Sequence, residues 1–411
     1  MADGLRRKKI AIVVPSFEDI GGVGTVAEFI LRAIARRPNL EAMVVSLATS
    51  SRDPCSVLLR NPATWRRGIR TRQGHSHHAA FTHVGAVLGE IEICRLSPRG
   101  RLADLLKDCD MIQVVAGVPA WANPVLDLGK PIVLQIATLT GVERQARLPD
   151  NYRPLTLWRR AMTRIVSRMD NTALRQCGAV MVENPWMLQH VKDIVHDGPV
   201  LVRYAPPGVD ADFFFPGDAA PPESEPRYIL AVGRFSDARK NAMLLLEAYA
   251  ELKRAMPDAP GLVLAGSHGP GETFWTRAQA YGLNQAVSFH AMPSNHQLAG
   301  LYRGALCLAL PSEEEGFGMV VVEAMASGIP VVATRCGGPD GIIADGEDGY
   351  LIPCGDALAM ANRLEKLAAN PVFAREMGRK ARATVEARYA DKVAGDVFLE
   401  VYDALLGTPS P

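Results

Sequence analysis

The chain has 411 residues, more than one hydrophobic core usually supports, and this length predicts two domains. Hydrophobic residues make up 48% and charged residues 22%, with 45 basic against 44 acidic side chains, so there is no basic excess for binding nucleic acid. The seven cysteines form no CxxC pair, which argues against a disulfide framework or a zinc knuckle and favours a reducing, cytoplasmic setting.

The first element is predicted to be a buried strand. Residues 1–17 resemble a signal peptide because basic residues precede apolar ones, but the apolar run IAIVV is only five residues long before Pro15. No stretch of the sequence approaches the roughly 18 to 20 apolar residues of a membrane span.

Short apolar runs alternate with helical patterns through the first half of the chain. This alternation predicts an α/β fold with a parallel sheet. The predicted strands of this half are residues 9–14, 41–47, 111–115, 131–137 and 178–182.

Residues 64–83 interrupt the alternation with many cations and little periodicity, which predicts a surface loop. The histidines of this segment are interpreted as solvated rather than metal-binding, because no carboxylate or thiol lies at a matching spacing. They are His75, His77, His78 and His83.

Two groups of arginines favour a solvated basic face, while contact with anionic lipid or with an anionic acceptor stays open. A peripheral membrane contact is considered for residues 66–72. The two groups are Arg66, Arg67, Arg70 and Arg72, and Arg159, Arg160, Arg164 and Arg168.

Residues 203–226, rich in proline, glycine and small polar residues, are predicted to link two domains, 1–205 and 206–385. Asp210 and Asp212 in this linker imitate a metal-binding DxD pair but are interpreted as turn residues. The alternation then restarts, which predicts a second α/β domain. Its predicted strands are residues 228–233, 262–266, 287–291, 305–310, 330–334 and 349–353.

Residues 305–334 are predicted to form a strand, a loop, a helix and a second strand. The loop lies at the carboxyl edge of the sheet, where open α/β sheets bind ligands, and free amides at the helix start suit a pyrophosphate. Glu323 lies further along the helix, where a carboxylate can hold two ribose hydroxyls. Solvated surface acids are the alternative, but a bare carboxylate within MVVVEAMA is costly. The amides belong to Gly316, Phe317, Gly318 and Met319.

Arg234 and Lys240 flank the exit of the predicted strand that ends in Gly233. Preplaced cations there would stabilise the negative charge that grows on the outer phosphate when a nucleoside diphosphate leaves a sugar. An ordinary ion pair with Asp237 or Glu247 is the alternative.

A glycine-rich turn follows the first predicted strand and precedes an amphipathic helix. Its glycines, Gly21, Gly22 and Gly24, allow close backbone approach to a phosphate across an interdomain cleft. Such turns also merely join strand to helix, so this signal is weak by itself.

Taken together, these features resemble the retaining GT-B nucleotide-sugar glycosyltransferases of family 4, the glycosyl transferases group 1. The resemblance rests on the glycine loop, on the linker motif APPGVDADFFFP at 205–216, on Arg234 with Lys240, and on Glu315 with seven residues before Glu323. It implies two Rossmann-like domains facing a central cleft. The first domain would bind the acceptor, the second would bind the donor, and the C-terminal helix within 386–411 would pack back on the first.

The resemblance implies retaining transfer from a nucleoside diphosphate sugar, a UDP- or GDP-sugar, to a hydroxyl or other nucleophile of a small-molecule, glycan or lipid-linked acceptor. It implies no metal ion and no further cofactor. Arg234 and Lys240 would bind the diphosphate, Glu315 would lie near the donor sugar, and residues 290–292 would border the base. The implied donor-binding residues are Gly21, Gly22, Gly24, Gly233, Gly266, Met292, Gly316, Phe317, Gly318, Met319, Val320 and Glu323.

One departure from the family pattern is that Ala137 stands where members often carry a histidine. The leaving phosphate can itself accept the proton of the attacking nucleophile, so a protein base is not required. The departure therefore bears on how the sugar is positioned and on the class of acceptor. Gln135, Thr138 and Thr140 are the nearby polar residues. The alternatives are a sugar phosphorylase or nucleotide-sugar epimerase on the same fold, and a non-catalytic nucleotide-sugar-binding protein; a homodimer stays open.

Overall fold

The structure is a computed structural model that describes residues 6–18, 21–76, 79–145, 154–196, 198–217 and 227–407. The chain divides into two compact units. Unit 1 comprises residues 1–207 and 394–411, and unit 2 comprises residues 208–393. Each unit is built on a mostly or wholly parallel sheet with helices packed on it, which confirms the predicted α/β class with two Rossmann-like domains.

Within the described residues, unit 1 holds an eight-stranded sheet in the order β3-β4-β2-β1-β5-β6-β7-β8. All neighbours pair in parallel except β3 and β4, which are antiparallel. The strands are β1 Lys8–Pro15, β2 Leu40–Leu47, β3 Thr71–Ser76, β4 Ala79–Val84, β5 Met111–Ala116, β6 Ile132–Ile136, β7 Ala179–Val182 and β8 Leu201–Tyr204.

Helices cover both faces of this sheet, so the central strands are largely apolar on both sides. In β1, for example, Ala11 and Val13 pack into one core layer, and Ile10, Ile12 and Val14 pack into the other. The helices of unit 1 are α1 Gly22–Ala35, α2 Ala63–Arg67, α3 Glu92–Arg95, α4 Gly100–Leu106, α5 Thr140–Gln145, α6 Pro154–Gln176 and α7 Pro185–Val195, with a 3₁₀ segment at Pro119–Leu128.

Unit 2 repeats this architecture with a six-stranded parallel sheet, in the order β11-β10-β9-β12-β13-β14 within the described residues. Its strands are β9 Tyr228–Val232, β10 Gly261–Gly266, β11 Val287–Ala291, β12 Ala305–Leu310, β13 Val331–Thr334 and β14 Gly349–Ile352. Its helices are α8 Ala242–Ala255, α9 Glu272–Ala280, α10 Asn295–Gly304, α11 Met319–Ala326, α12 Gly338–Ile342, α13 Ala357–Ala369 and α14 Pro371–Arg388, with a 3₁₀ turn at Ala238–Lys240.

The last helix, α15 (Asp391–Leu406), packs on the sheet and helices of unit 1 over most of its length. The ring of Phe398 meets that of Phe29 edge-on with centroids 5.2 Å apart, and the Tyr402 hydroxyl donates to Gln113 Oε1 at 2.7 Å. Buried aromatic contacts and a satisfied buried hydroxyl hold this helix against the strands.

The prediction of a surface loop at 64–83 is wrong, because the structure forms the β3–β4 hairpin there. Strand β3 is an exposed, polar edge strand, so its sequence carries no alternating apolar face. Strand β4 lies between β3 and β2, and its residues from Phe81 to Val84 are buried. His77 and His78 lie outside the described residues.

The predicted linker overlaps β8, which extends to Tyr204, and its residues 218–226 lie outside the described residues. The interpretation of Asp210 as a turn residue is confirmed. Its Oδ1 accepts hydrogen bonds from the amides of Asp212 at 3.1 Å and Phe213 at 3.0 Å, an arrangement that fixes the turn.

Among the described residues, no helix has both the length and the apolar content needed to cross a bilayer.

Candidate active site

The residues singled out in unit 2 come from loops at one edge of its sheet. Strands β10, β9 and β12 are neighbours and run parallel, so their carboxyl ends meet at the same edge. Gly266 ends β10, Gly233 follows β9, and the loop that carries Glu315 follows β12. In open α/β sheets this edge is where ligands bind.

Lys240 and Glu315 are in direct contact at this edge. The ammonium Nζ of Lys240 lies 2.5 Å from Glu315 Oε1, and the same oxygen accepts a hydrogen bond of 2.7 Å from the Ser312 hydroxyl. Both side chains are largely buried, with 18% and 12% exposed. An ammonium group has three donor hydrogens, so Lys240 can hold this carboxylate and still bind an anion.

The two loops are also joined through their backbones. The Glu313 amide donates to the Arg239 carbonyl at 2.8 Å, and the Asn241 side chain donates to Glu313 Oε1 at 3.1 Å. Asn241 caps helix α8 in a left-handed conformation, with φ of 41°. This cap ends the 3₁₀ turn directly after Lys240, which fixes where the lysine side chain begins.

Gly233, Gly266 and Met292 lie together because their backbones touch. A Cβ on Gly266, whose φ is +156°, would lie 2.0 Å from the Gly233 carbonyl oxygen. The Met292 amide donates to the Gly266 carbonyl at 2.8 Å, and 57% of Met292 is exposed. The aliphatic chain of Lys240 passes beside Gly233, where a Cβ would be in ordinary contact with it at 3.5 Å.

The turn before α11 presents backbone rather than side chains. Gly318, the N-cap, has φ of +98°, a conformation that glycine adopts without strain. The side chain of Phe317 is buried in the core, with its ring tilted against that of Tyr389, so only its backbone can serve a ligand at this edge. The first amides of α11, at Met319 and Val320, have no acceptor within the helix.

Glu323 lies one turn into α11 and is paired with a tyrosine of α10. The Tyr302 hydroxyl donates to Glu323 Oε2 at 2.8 Å, and within the described residues it is the one hydrogen-bond donor to this carboxylate. Removal from water raises the pKa of Glu323 to about 7, and the hydrogen bond from Tyr302 opposes that rise. No pattern in the sequence pointed to Tyr302, which precedes Glu323 by 21 residues.

Arg234 is exposed, and across the described residues it has no ion pair. The alternative of an ion pair between Arg234 or Lys240 and Asp237 is wrong. Asp237 instead caps the 3₁₀ turn and binds Arg239, with 2.8 Å between Arg239 Nη2 and Asp237 Oδ2.

The glycine-rich turn lies in unit 1, at the carboxyl end of β1. Gly21 caps α1 with an extended backbone and accepts a hydrogen bond from the Thr25 amide at 3.3 Å. Gly22 is exposed and Gly24 is buried. The turn therefore starts a helix at the carboxyl edge of the unit 1 sheet, the edge at which open α/β sheets bind ligands.

Two of the three polar residues near Ala137 have structural partners. Gln135 is buried and donates to Glu183 Oε1 at 3.2 Å and to the Ala205 carbonyl at 3.1 Å. Thr140 is buried and donates through its amide and hydroxyl to Asp170. Thr138 alone of the three keeps exposed surface.

A buried cluster in unit 1 corrects the interpretation of His83 as solvated. Its Nε2 lies 2.8 Å from Asp53 Oδ1, and its Nδ1 lies 3.2 Å from the Ser46 hydroxyl. Burial opposes ionisation of Asp53, but hydrogen bonds from His83 and Ser56 outweigh it and lower the Asp53 pKa.

The same cluster brings a carboxylate and a thiol close to His83 in space, although none lies at a matching spacing in the sequence. Donor atoms of Asp53, Cys55 and His83 lie within 4.8 Å of one another. Zinc binds carboxylate, thiolate and imidazole ligands of these types, but the side chains of Asp53 and His83 already form a hydrogen bond with each other. Asp53 and His83 are 30 positions apart, so local spacing could not reveal the pair.

Comparison with known proteins places the chain among sugar-transferring enzymes. A family model described as "Glycosyl transferases group 1" matches residues 218–384. A D-inositol 3-phosphate glycosyltransferase of Segniliparus rotundus is 28% identical over 95% of this chain and 86% of its own.

Two solved structures share the fold at low sequence identity. Sucrose-phosphate synthase from Thermosynechococcus elongatus superposes with a TM-score of 0.71 and 22% identity, covering 98% of this chain and 100% of that chain. Anabaena HepE in complex with UDP and glucose superposes with a TM-score of 0.68 and 17% identity, covering 97% and 100%.

Proposed function

We propose that this GT-B glycosyltransferase of the glycosyl transferases group 1 type transfers the sugar of a nucleotide sugar with retention and without a metal ion. We place the donor site at the carboxyl edge of the unit 2 sheet. The observation that carries this proposal is the contact between Lys240 and Glu315, which joins loops from two neighbouring strands.

Lys240 and Arg234 take the role of a cationic clamp on the donor diphosphate. When the bond between sugar and phosphate breaks, negative charge grows on the outer phosphate, and cations already in place stabilise it without reorganisation. Glu315 and the buried wall beside Gly233 hold the Lys240 side chain in position. Arg234 has no acidic partner in the described residues, so its guanidinium is available for the bidentate contact that phosphate favours.

The remaining donor contacts follow from the elements around this pair. The first amides of α11 suit a phosphate or sugar oxygen, and the exposed Met292 borders the space beyond Gly266 where a base would lie. Glu323 offers a carboxylate to the ribose hydroxyls when it is ionised. Retention is supported by the resemblance to the retaining family, in which the leaving phosphate can accept the proton of the nucleophile.

The relatives suggest which substrates to test first. HepE was solved with UDP, so UDP-sugars are the first donors, followed by GDP-sugars. The name of the Segniliparus rotundus enzyme makes D-inositol 3-phosphate the first acceptor, and unit 1 is the proposed acceptor domain. No further cofactor is proposed.

The decisive experiment measures donor binding and transfer with matched lysine variants. A nucleotide present at about 100 times its dissociation constant should stabilise the protein by about 2.7 kcal/mol in a thermal-shift screen. Lys240→Ala should lose most of this gain, and its kcat should fall about 10²- to 10³-fold. Lys380→Ala, which removes an exposed lysine of α14, is the control and should match the wild type.

The same assay separates the rivals. Product anomer analysis by NMR tests retention, and full activity in a chelator tests metal independence. Conversion of the nucleotide sugar without acceptor would indicate an epimerase, and dependence on inorganic phosphate as acceptor would indicate a phosphorylase. Tight donor binding without turnover on any acceptor would indicate a non-catalytic binding protein and would end the proposal of catalysis.

We further propose a cytoplasmic location, which the seven free thiols support because reducing compartments keep cysteines unpaired. A homodimer and a membrane contact through residues 66–72 stay predictions. Arg66, Arg67 and Arg70 are exposed, whereas Arg72 is paired with Glu18 at 2.7 Å. Analytical ultracentrifugation tests the dimer.

A further inference from the structure

We propose that the outer face of helix α6 in unit 1 binds the surface of an anionic phospholipid bilayer. Helix α6 contributes no residue to the proposed donor site, and binding of lipid by this helix goes beyond the proposed transfer reaction. It rests on an exposed combination of arginines with large apolar side chains along one 23-residue helix.

The apolar part of this face is unusually exposed for a helix of a globular protein. Trp158 is 62% exposed, Leu157 48% and Ile165 37%, while Val166, Ala173 and Leu174 of the same helix are buried against unit 1. Scattered single apolar residues on a surface are ordinary, but these lie within two turns of one another.

Arginines share this outer face with the apolar residues. Leu157, Ala161, Arg164 and Arg168 follow one another at spacings of three and four, which places them on one side of the helix. Of these, Arg164 and Arg168 are exposed and, in the described part of the chain, form no ion pair.

The helix has no acidic residue on its outer side. Asp170 is its one acid, and it is turned inward, where it accepts hydrogen bonds from the amides of Ala120 at 2.8 Å and Thr140 at 2.9 Å. All charged residues of the outer face are therefore cations, and exposed tryptophan, leucine and isoleucine side chains lie among them.

Charge complementarity identifies the occupant. Helices that lie in the bilayer interface combine lysine or arginine with tryptophan and leucine, and their cations gain from anionic headgroups. A second copy of the chain fits less well, because a two-fold interface would place this cationic face against itself. An acidic protein partner is the other outcome that the experiment must detect.

The test uses the full chain and vesicles of phosphatidylcholine with or without phosphatidylglycerol. We expect co-sedimentation only with the anionic vesicles, and weaker binding as salt rises. Each arginine near an anionic surface contributes about fivefold to partitioning, so Arg164→Gln with Arg168→Gln should lower the partition coefficient about 25-fold. Trp158→Phe should remove the quenching of tryptophan emission by brominated anionic lipid if this ring enters the interface.

A charge-matched control removes two cations from another surface. Arg379→Gln with Lys380→Gln on α14 changes the net charge by the same amount on exposed positions of unit 2 and should leave binding unchanged. Arg66→Gln with Arg67→Gln tests the other basic segment. Thermal unfolding of each variant must match the wild type before partitioning is compared.

Four results would overturn the proposal. These are no sedimentation of the wild type, equal binding to neutral vesicles, an equal loss in the α14 control, or a loss confined to the Arg66 and Arg67 variant. Wild-type self-association that the α6 variant abolishes would instead assign this face to a second copy, and wild-type binding to an acidic protein in place of vesicles would assign it to that partner. The assay contains no nucleotide sugar, so its failure leaves the donor-site proposal standing.

Discussion

Donor affinity should depend on pH through Glu323. The carboxyl group must be ionised to accept hydrogen bonds from both ribose hydroxyls, yet burial raises its pKa to about 7. With that pKa about one-tenth of the enzyme is competent at pH 6 and about nine-tenths at pH 8, so the apparent Kd should fall about tenfold over this range. A nucleoside diphosphate sugar has no phosphate monoester, whose second pKa near 6 would add a titration of its own.

Tyr302→Phe should move the midpoint of this profile to higher pH. The hydroxyl of Tyr302 donates to Glu323 Oε2 and favours the ionised form, so its removal raises the Glu323 pKa further. Tyr302 is fully buried and packs edge-on against Phe214, a contact that phenylalanine retains. Affinity at pH 7 should therefore fall while affinity well above the new midpoint is restored.

Isothermal titration calorimetry of the donor between pH 6 and 8 measures the profile. Tyr249→Phe is the matched control, because it removes another buried hydroxyl of unit 2, one that donates to the Pro260 carbonyl, and should leave the midpoint in place. Glu323→Gln should give a flat, weak profile. The reasoning is refuted if the wild-type affinity is flat across this range, or if Glu323→Gln keeps the full pH dependence.

Two further predictions concern the fold around the candidate sites. Gly266→Ala places a Cβ 2.0 Å from the Gly233 carbonyl oxygen, so it should lower the free energy of unfolding by about 1 to 3 kcal/mol and weaken donor binding. Gly271→Ala is the control, because a Cβ there meets open space and should have neither effect. Equal melting temperatures for the two variants would contradict this reasoning. Glu183 is buried beside Gln135, and its pKa is about 7 in the folded protein against 4.5 in the unfolded chain, so the free energy of unfolding should fall as pH rises from about 4.5 to about 7. Glu183→Gln should remove this fall, which amounts to roughly 3 kcal/mol and can be measured by urea unfolding at several pH values. An unchanged pH dependence in the variant would refute the assignment.

The eleven strands predicted from the sequence all form, with ends within about two residues of the prediction, but the parallel edge strand β8 was missed. Strands such as β1 and β12 are covered on both faces, so their buried residues form an unbroken apolar run that stands out from its surroundings. The hairpin of β3 and β4 was missed for the opposite reason. An edge strand open to solvent needs no apolar face, and its antiparallel partner is recognised only once the sheet is assembled.

For the candidate site, the sequence indicated Arg234 and Lys240 because two cations flank one strand exit, and Glu323 because a bare carboxylate in an apolar helix is costly. Glu315 was indicated by the resemblance to the family. Their roles in binding and catalysis stay predictions. The tertiary structure alone decided that Lys240 contacts Glu315 across 75 positions and that Tyr302 binds Glu323.

Periodicity is a local property of the sequence, and it determined which segments of this chain become strands and helices. The charged residues in the loops between them were read directly from the sequence. Which side chains meet is decided by the order of strands in a sheet, because parallel strands bring together loops that are distant in the sequence. That order placed His83 beside Asp53, and it placed Lys240 against Glu315. Burial, which sets the pKa of Glu323 and Glu183, likewise exists only once the layers are packed.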